Sequence, residues 1–210
     1  MNRENIIHHV IEKGRIEQQV TAIAKIITNR KGQSGLVYCF SQADSKDLCD
    51  KLKSFLVSKG DFDTRISYYH AGLNKDIKSA RHISWKEGKT QVLCTTSAFG
   101  MGIDKTDVRF VVHHTIPMSP SQYIQQSGRG GRDGSPCDSY ILYRYTDMRR
   151  IERLLEKSGC SSSDLKEQKS DLTRMVLFCE NECTCRRVEL AGYFGEFITS
   201  ACCNGTCDNW

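Results

Sequence analysis

The chain has 210 residues, 39% of them hydrophobic, enough for one large domain or a medium domain with an appendage. Lys and Arg outnumber Asp and Glu by 30 to 25, a net charge of +5 that permits a nucleic-acid partner without demanding one. No apolar run approaches a membrane span, and the opening M-N-R-E-N-I-I-H-H-V lacks the long apolar region of a secretory signal. No membrane partner is expected. The chain carries 11 cysteines. Cys39, Cys49, Cys94 and Cys137 sit in or beside apolar segments and read as buried thiols. Cys179, Cys183, Cys185, Cys202, Cys203 and Cys207 crowd together near the end, and such a cluster without a secretory signal favours metal over disulfides.

Residues 1–14 show little organisation and read as an N-terminal extension. From Arg15 to Asn29 apolar residues recur at helical spacing, and K-G-Q-S-G ends that helix. Leu36 to Phe40 reads as a strand buried on both faces. Ser41 with Asp44 offers a cap for a helix reaching Ser58. Arg65 to Tyr69 is a second strand, Asn74 caps a helix to about Lys86, and Gln91 to Thr95 is a third strand. Phe110 to His113, a short helix from Ser119, and Asp138 to Tyr143 complete the alternation. Strands and helices in this rhythm predict a parallel α/β sheet across 15–145. Residues 146–210 read as three helices: Thr146 to Lys157, Asp164 to about Cys179, and Cys185 to Phe194.

The densest signal is Y-I-Q-Q-S-G-R-G-G-R-D-G at Tyr123 to Gly134. Arg129 and Arg132 lie among glycines that let backbone approach a ligand closely. Planar, permanently charged guanidinium forks suit phosphate oxygens, and two on one loop can neutralise charge on a transferring γ-phosphate. The plain alternative is a flexible basic surface loop. Upstream stand T-T-S-A-F-G-M-G-I-D-K at Thr95 to Lys105 and Y-C-F-S-Q at Tyr38 to Gln42. The loops after the strands, namely Ser41-Gln42, His70-Gly72, Thr95-Asp104 and the arginine loop, are expected to share the carboxyl edge of the sheet, where ligands bind.

In this order the motifs resemble motifs V and VI of superfamily 2 helicases, and Gln125 with F-G-M-G-I-D-K narrows the resemblance to the RecQ DNA helicases, from about Arg15 to Trp210. The resemblance implies the second RecA-like lobe of a 3′-to-5′ ATP-dependent DNA helicase, followed by a helical zinc-binding subdomain. It implies Arg129 and Arg132 as arginine fingers, with Arg132 on the γ-phosphate, and Gln125 as the residue that orients the loop and senses nucleotide. Asp104, with Gly102, would hold that loop by hydrogen bonds or salt bridges. Ser41, Gln42, His70, Thr95 and Thr96 would contact the backbone of single-stranded DNA without reading its sequence. Each has an ordinary alternative, Ser41 as helix cap, Thr95 as strand end and His70 as turn residue. A nuclear location, and roles in DNA repair and recombination, follow from the resemblance.

Departures from the family pattern accompany these matches. Gln126 stands where Glu is common, and Gly130 replaces the usual Ala between the arginines, which should loosen the loop. Cys185, Cys203 and Cys207 match zinc ligands, but the fourth position is Trp210, leaving Cys202, Cys183 or Cys179 as substitutes, a water-completed site, or none. No G-x-x-x-x-G-K-[ST] occurs, so the contacts of ATP and Mg²⁺ with a phosphate loop belong to a first RecA-like lobe, and the chain alone is expected to be inactive. The chain then reads as a piece of a longer helicase or a truncated relative. Two other classes remain open: a non-catalytic nucleic-acid or protein-binding module derived from a helicase lobe, and a DEAD-box RNA helicase lobe. Intact Gln125, Arg129 and Arg132 count against the first; the cysteine-rich tail and Gln125 in place of His count against the second.

Overall fold

The computed structural model describes residues 3–97, 99 and 104–209, without the side chain of Cys202. Six strands form one sheet: β1 (Ile6–Glu12), β2 (Ser34–Tyr38), β3 (Ile66–Tyr69), β4 (Val92–Thr95), β5 (Val108–His113) and β6 (Cys137–Tyr143). Their order is β1-β6-β5-β2-β4-β3, and every pairing is parallel. The helices are α1 (Ile16–Asn29), α2 (Gln42–Ser58), α3 (Lys75–Lys86), α4 (Pro120–Ser127), α5 (Thr146–Lys157), α6 (Ser162–Glu180) and α7 (Arg186–Tyr193). A single turn of 3₁₀ helix covers Ser200–Cys203.

Local signals set most boundaries. The apolar stripe Val20, Ile23, Ala24 and Ile27 is the buried face of α1. Ser41 caps α2 by accepting from Asp44 N, and Asp44 returns the bond to Ser41 N. Asn74 caps α3 and Ser119 caps α4, with Pro120 in the first turn, where its missing N–H costs nothing. All five residues of β2 are buried, as a central parallel strand requires. The thiols of Cys39, Cys49, Cys94 and Cys137 are buried too.

Residues 1–14 depart from the expectation of little organisation. Ile6–Glu12 is a full strand, paired along its length with β6. It lies at a sheet edge and is only partly covered, so polar residues such as His9 and Glu12 break the apolar run that would have announced it.

Helices cover both faces. α1 and α2 pack on one through Ile23, Leu48 and Leu52, and α3 packs Trp85 on the other. The helical region after β6 shares its core with α4 and β6: Tyr123 and Ile141 lie in one apolar cluster with Ile151, Leu155, Leu172, Met175 and Phe178. A buried ion pair fastens this junction. Lys13 Nζ, just past β1, meets Asp147 Oδ2 in the first turn of α5 at 2.6 Å, and both side chains are under a tenth exposed. Lys13 also donates to Thr115 Oγ1 at 3.3 Å, and Arg144 supports Asp147 at 3.0 Å. Burial lowers the Lys13 pKa, and Asp147 counters it. Asp147→Asn therefore leaves a buried ammonium without its anion and is expected to cost roughly 3–5 kcal/mol. Equilibrium denaturation checks this, and Lys13→Met with Asp147→Leu is expected to recover most of the loss.

Candidate functional site

Parallel strands put the singled-out loops at two different edges of the sheet. Ser41, Gln42, His70 and Thr96 follow the carboxyl ends of β2, β3 and β4, as expected. The arginine loop does not. It follows α4, which runs back across the sheet, and it enters the amino end of β6, with Gly131 N donating to Val108 O at the start of β5. The shared-edge expectation is corrected: the two groups of residues are separated by the height of the sheet. The connection from Thr96 to Asp107 links them, since it leaves β4 at the carboxyl edge and enters β5 at the amino edge.

At the amino edge Arg129 is half-buried and Arg132 exposed. Both guanidinium groups act on the Tyr38 hydroxyl, whose pKa burial pushes up to about 12 against their pull. Tyr38 in turn donates to Phe99 O at 3.3 Å. Gln125 is exposed on α4, whereas its neighbour Gln126 is buried. Asp104 is exposed, and among the described residues it forms no ion pair with either arginine. Gly102 lies outside the described residues. The loop is tied by Asp133, paired with Arg109, and by Arg3 and Asn5. Asp133 is held down to about 2 by the hydrogen bond from Arg109 and by Ser135 N. Sequence reasoning missed these partners: only Asp133 lies in the glycine-rich motif, while Arg109, Arg3 and Asn5 come from distant parts of the chain.

At the carboxyl edge Gln42 lies over Gly72, where an added Cβ would stand 2.4 Å from its Oε1. The strand-end loops of β2 and β3 are thus in contact. His70 is half-buried and stacks on Tyr68 at 5.7 Å, its Nδ1 lacking a partner among the described atoms. Burial and Arg81 both lower its pKa. The Arg81 guanidinium lies 3.9 Å from the centre of the Tyr68 ring and donates to Tyr68 O, a neighbour the sequence reading did not include. Thr95 is corrected: it is fully buried and its hydroxyl donates to Tyr69 O at 2.9 Å, which leaves no group for a phosphate.

Near the C-terminus three thiols converge. Cys185 at the start of α7, Cys203 and Cys207 place their sulfurs within 4.8 Å of one another, and all three are buried. Cys203 and Cys207 stand 3.4 Å apart, and Cys207 and Cys185 3.9 Å. A tetrahedral zinc with thiolate bonds of about 2.3 Å sets its sulfurs roughly 3.8 Å apart, so the three residues fit one face of such a site. Burial opposes ionisation of Cys203, but hydrogen bonds from Cys207, Cys185 and Thr206 outweigh it and lower its pKa; burial raises Cys207 to about 11. Cys179 and Cys183 do not join the cluster, and Cys183 is exposed, so neither is the substitute ligand. Trp210 lies outside the described residues, as does the Cys202 side chain.

Comparison with known proteins bears on both sites. Residues 18–134 match the helicase conserved C-terminal domain, and residues 145–209 match the RecQ zinc-binding domain. Mouse ATP-dependent DNA helicase Q1 is 39% identical across 99% of this chain, which spans 30% of that protein. Fission-yeast ATP-dependent DNA helicase hus2/rqh1 is 35% identical across 99% of the chain, which spans 15% of it.

This chain belongs to the RecQ helicase family.

Among solved structures, the C-terminal domain of the DEAD-box protein Dbp5 superposes with a TM-score of 0.57 over 82% of this chain and 99% of that domain, at 19% identity. Yeast Dbp5 bound to RNA and ADP BeF3 gives 0.59 over 81% of this chain and 46% of that one, also at 19% identity. At such identity the likeness speaks for the RecA-like fold alone. Within this RecQ chain, Gly130 is the departure inside the arginine loop. The position is buried, and a Cβ there would stand 2.0 Å from Cys137 Sγ. Cys137 fills the space of the missing methyl, so the glycine seats the loop against β6, contrary to the loosening expected from it. Gly130→Ala is expected to cost roughly 1–3 kcal/mol by overpacking, and Cys137→Ala in the same chain to recover much of it, as read by a double-mutant denaturation cycle. The thiol cluster predicts one tightly held metal per chain. Metal analysis after dialysis is expected to give one zinc, falling severalfold in Cys203→Ser and Cys207→Ser, with thiol reactivity rising in step.

Proposed function

We propose that the chain is the second motor lobe and zinc module of an ATP-dependent DNA helicase that unwinds in the 3′-to-5′ direction. The observation that carries this reading is the arginine loop, two guanidinium groups on a backbone whose own carbonyls at Gly128, Gly131 and Ser135 accept hydrogen bonds from Arg3 and Asn5. Tied backbone and charged forks are what preorganised stabilisation of a transferring phosphoryl group requires. A P-loop lobe closing on the amino edge would hold ATP and Mg²⁺ against Arg129 and Arg132, with Gln125 facing the nucleotide from the exposed side of α4. Arg132 would meet the γ-phosphate. Asp104, with Gly102, would join the coupling path to the DNA side.

Single-stranded DNA would run along the carboxyl edge over Ser41, Gln42, His70 and Thr96. Polar side chains there suit phosphates and are indifferent to base identity. Because the two ligands occupy opposite edges, closure on ATP would be transmitted along residues 96–107 to the DNA loops. Zinc, held by Cys185, Cys203 and Cys207 with a fourth ligand, supplies cross-linking of the tail and no chemistry of its own. Kinship to eukaryotic relatives supports a nuclear place of work.

The test is DNA-stimulated ATP hydrolysis. The chain alone is expected to show no turnover, and turnover is expected once a P-loop lobe precedes it. Arg132→Ala in that protein should lower kcat by roughly 10³-fold or more. If turnover is absent even with the P-loop lobe, while DNA is still bound, the chain is a binding module.

A further inference from the structure

The loop bearing Arg129 and Arg132 is gripped by residues outside its own motif. Asn5 Nδ2 donates to Gly131 O at 2.7 Å and to Ser135 O at 2.8 Å. The Arg3 guanidinium donates to Gly128 O at 3.2 Å and also to Gly131 O. These two carbonyls are not arbitrary. Gly128 C=O belongs to the peptide unit leading into Arg129, and Gly131 C=O to the unit leading into Arg132. One planar fork therefore fixes the peptide plane ahead of each arginine. Gly131 itself has φ +55, and a Cβ on it would fall 2.4 Å from Asn5 Nδ2, so the approach is close on both sides.

The gripping segment is anchored in its turn. Cys137 N, at the start of β6, donates to Asn5 O at 2.8 Å. Arg187 of α7, itself 4% exposed, donates to the carbonyls of Arg3 at 2.9 Å, Glu4 at 3.0 Å and Ile6. It stands two residues after Cys185. Residues 3–5 are thus stitched to the sheet on one side and to the cysteine-bearing helix on the other.

We propose that Arg3 and Asn5 are positioning residues for phosphoryl transfer, fixing the backbone from which Arg129 and Arg132 reach the nucleotide. The proposal rests on the arginine-finger reading above. A displacement of about 1 Å at such a group costs on the order of 10²-fold in rate. Asn5→Asp keeps the shape of the side chain but turns a double donor toward two carbonyls into an acceptor. Arg3→Lys keeps the charge but loses the fork that spans two carbonyls.

The experiment measures DNA-dependent ATP turnover in the parent helicase, P-loop lobe included, for wild type, Asn5→Asp, Arg3→Ala, Arg3→Lys and Arg132→Ala. Asn5→Asp and Arg3→Ala are expected to lower kcat roughly 10- to 100-fold, with KM for ATP, DNA affinity and zinc content within twofold of wild type. Arg3→Lys should fall between Arg3→Ala and wild type. Full kcat in both Asn5→Asp and Arg3→Ala, beside a crippled Arg132→Ala, overturns this proposal and leaves the fingers standing. Full kcat in Arg132→Ala overturns the finger reading and this proposal with it. If Asn5→Asp fails to fold, the Arg3 pair decides: equal losses in kcat, DNA affinity and zinc content mean general damage and overturn the positioning role.

Discussion

A parallel sheet forces its connections to its two ends, and the chemistry of this chain is divided by that constraint. Every pairing here is parallel, so each strand must be followed by a crossover that returns to the starting edge. Residues just after strands collect at the carboxyl edge, and residues just after returning helices collect at the amino edge. Ser41, Gln42, His70 and Thr96 fall in the first group, Arg129 and Arg132 in the second. A lobe built this way presents two separate sets of loops without a second domain. The stretch from Thr96 to Asp107 leaves β4 at the carboxyl edge and enters β5 at the amino edge.

The cost of such a sheet is its exposed edge. β1 offers a row of unpaired backbone groups on the side away from β6. The C-terminal region covers part of it: His8 N donates to Thr206 O, Asp208 N donates to His8 O, and Asp208 Oδ2 accepts from Val10 N. Arg186 and Arg187 are both under a twentieth exposed, and a cation so buried must have its donors satisfied. Arg186 pairs with Asp208 at 2.8 Å and donates to Phe178 O, while Arg187 serves three carbonyls and Thr206 Oγ1. Two arginines adjacent in sequence thus clamp the cysteine module onto itself and onto the edge strand, respectively. The thiol cluster then sits beside a polar seam that joins the tail to the edge strand.

What the sequence showed, and what it hid, follows from the range of the interactions. The helices were legible because their signals are local: Ser41 with Asp44, Asn74, and Ser119 with Pro120 act within one turn. Central strands were legible because burial on both faces leaves an unbroken apolar run, as in β2. β1 was not, since an edge strand needs only half its residues apolar and two histidines interrupt it. Among site residues, the arginines and the three clustered cysteines could be picked out by residue type and spacing. Their holders could not, because Arg3 and Asn5 act across 125 to 130 positions of sequence. The assignment of both loop groups to one edge failed for a different reason. Chain order alone does not say that the loop after α4 has already recrossed the sheet.

Gly130 illustrates why a departure at one position is read badly without its neighbour. Taken singly, glycine for alanine adds backbone freedom, which argues for a looser loop. In three dimensions the missing methyl is replaced by Cys137 Sγ, which occupies the volume and is itself fully buried. The space beneath the glycine is filled from β6 instead of from the loop itself. The loop then owes its rigidity to two contributions that differ in kind. Cys137 fills space beneath it without direction, and Arg3 and Asn5 set the angle of its peptide planes. Space filling alone would hold the loop near the sheet yet leave the peptide units free to rock, and a rocking peptide swings an arginine head group by several ångströms at the end of its long stem. Directional bonds to the carbonyls ahead of each arginine oppose that rocking.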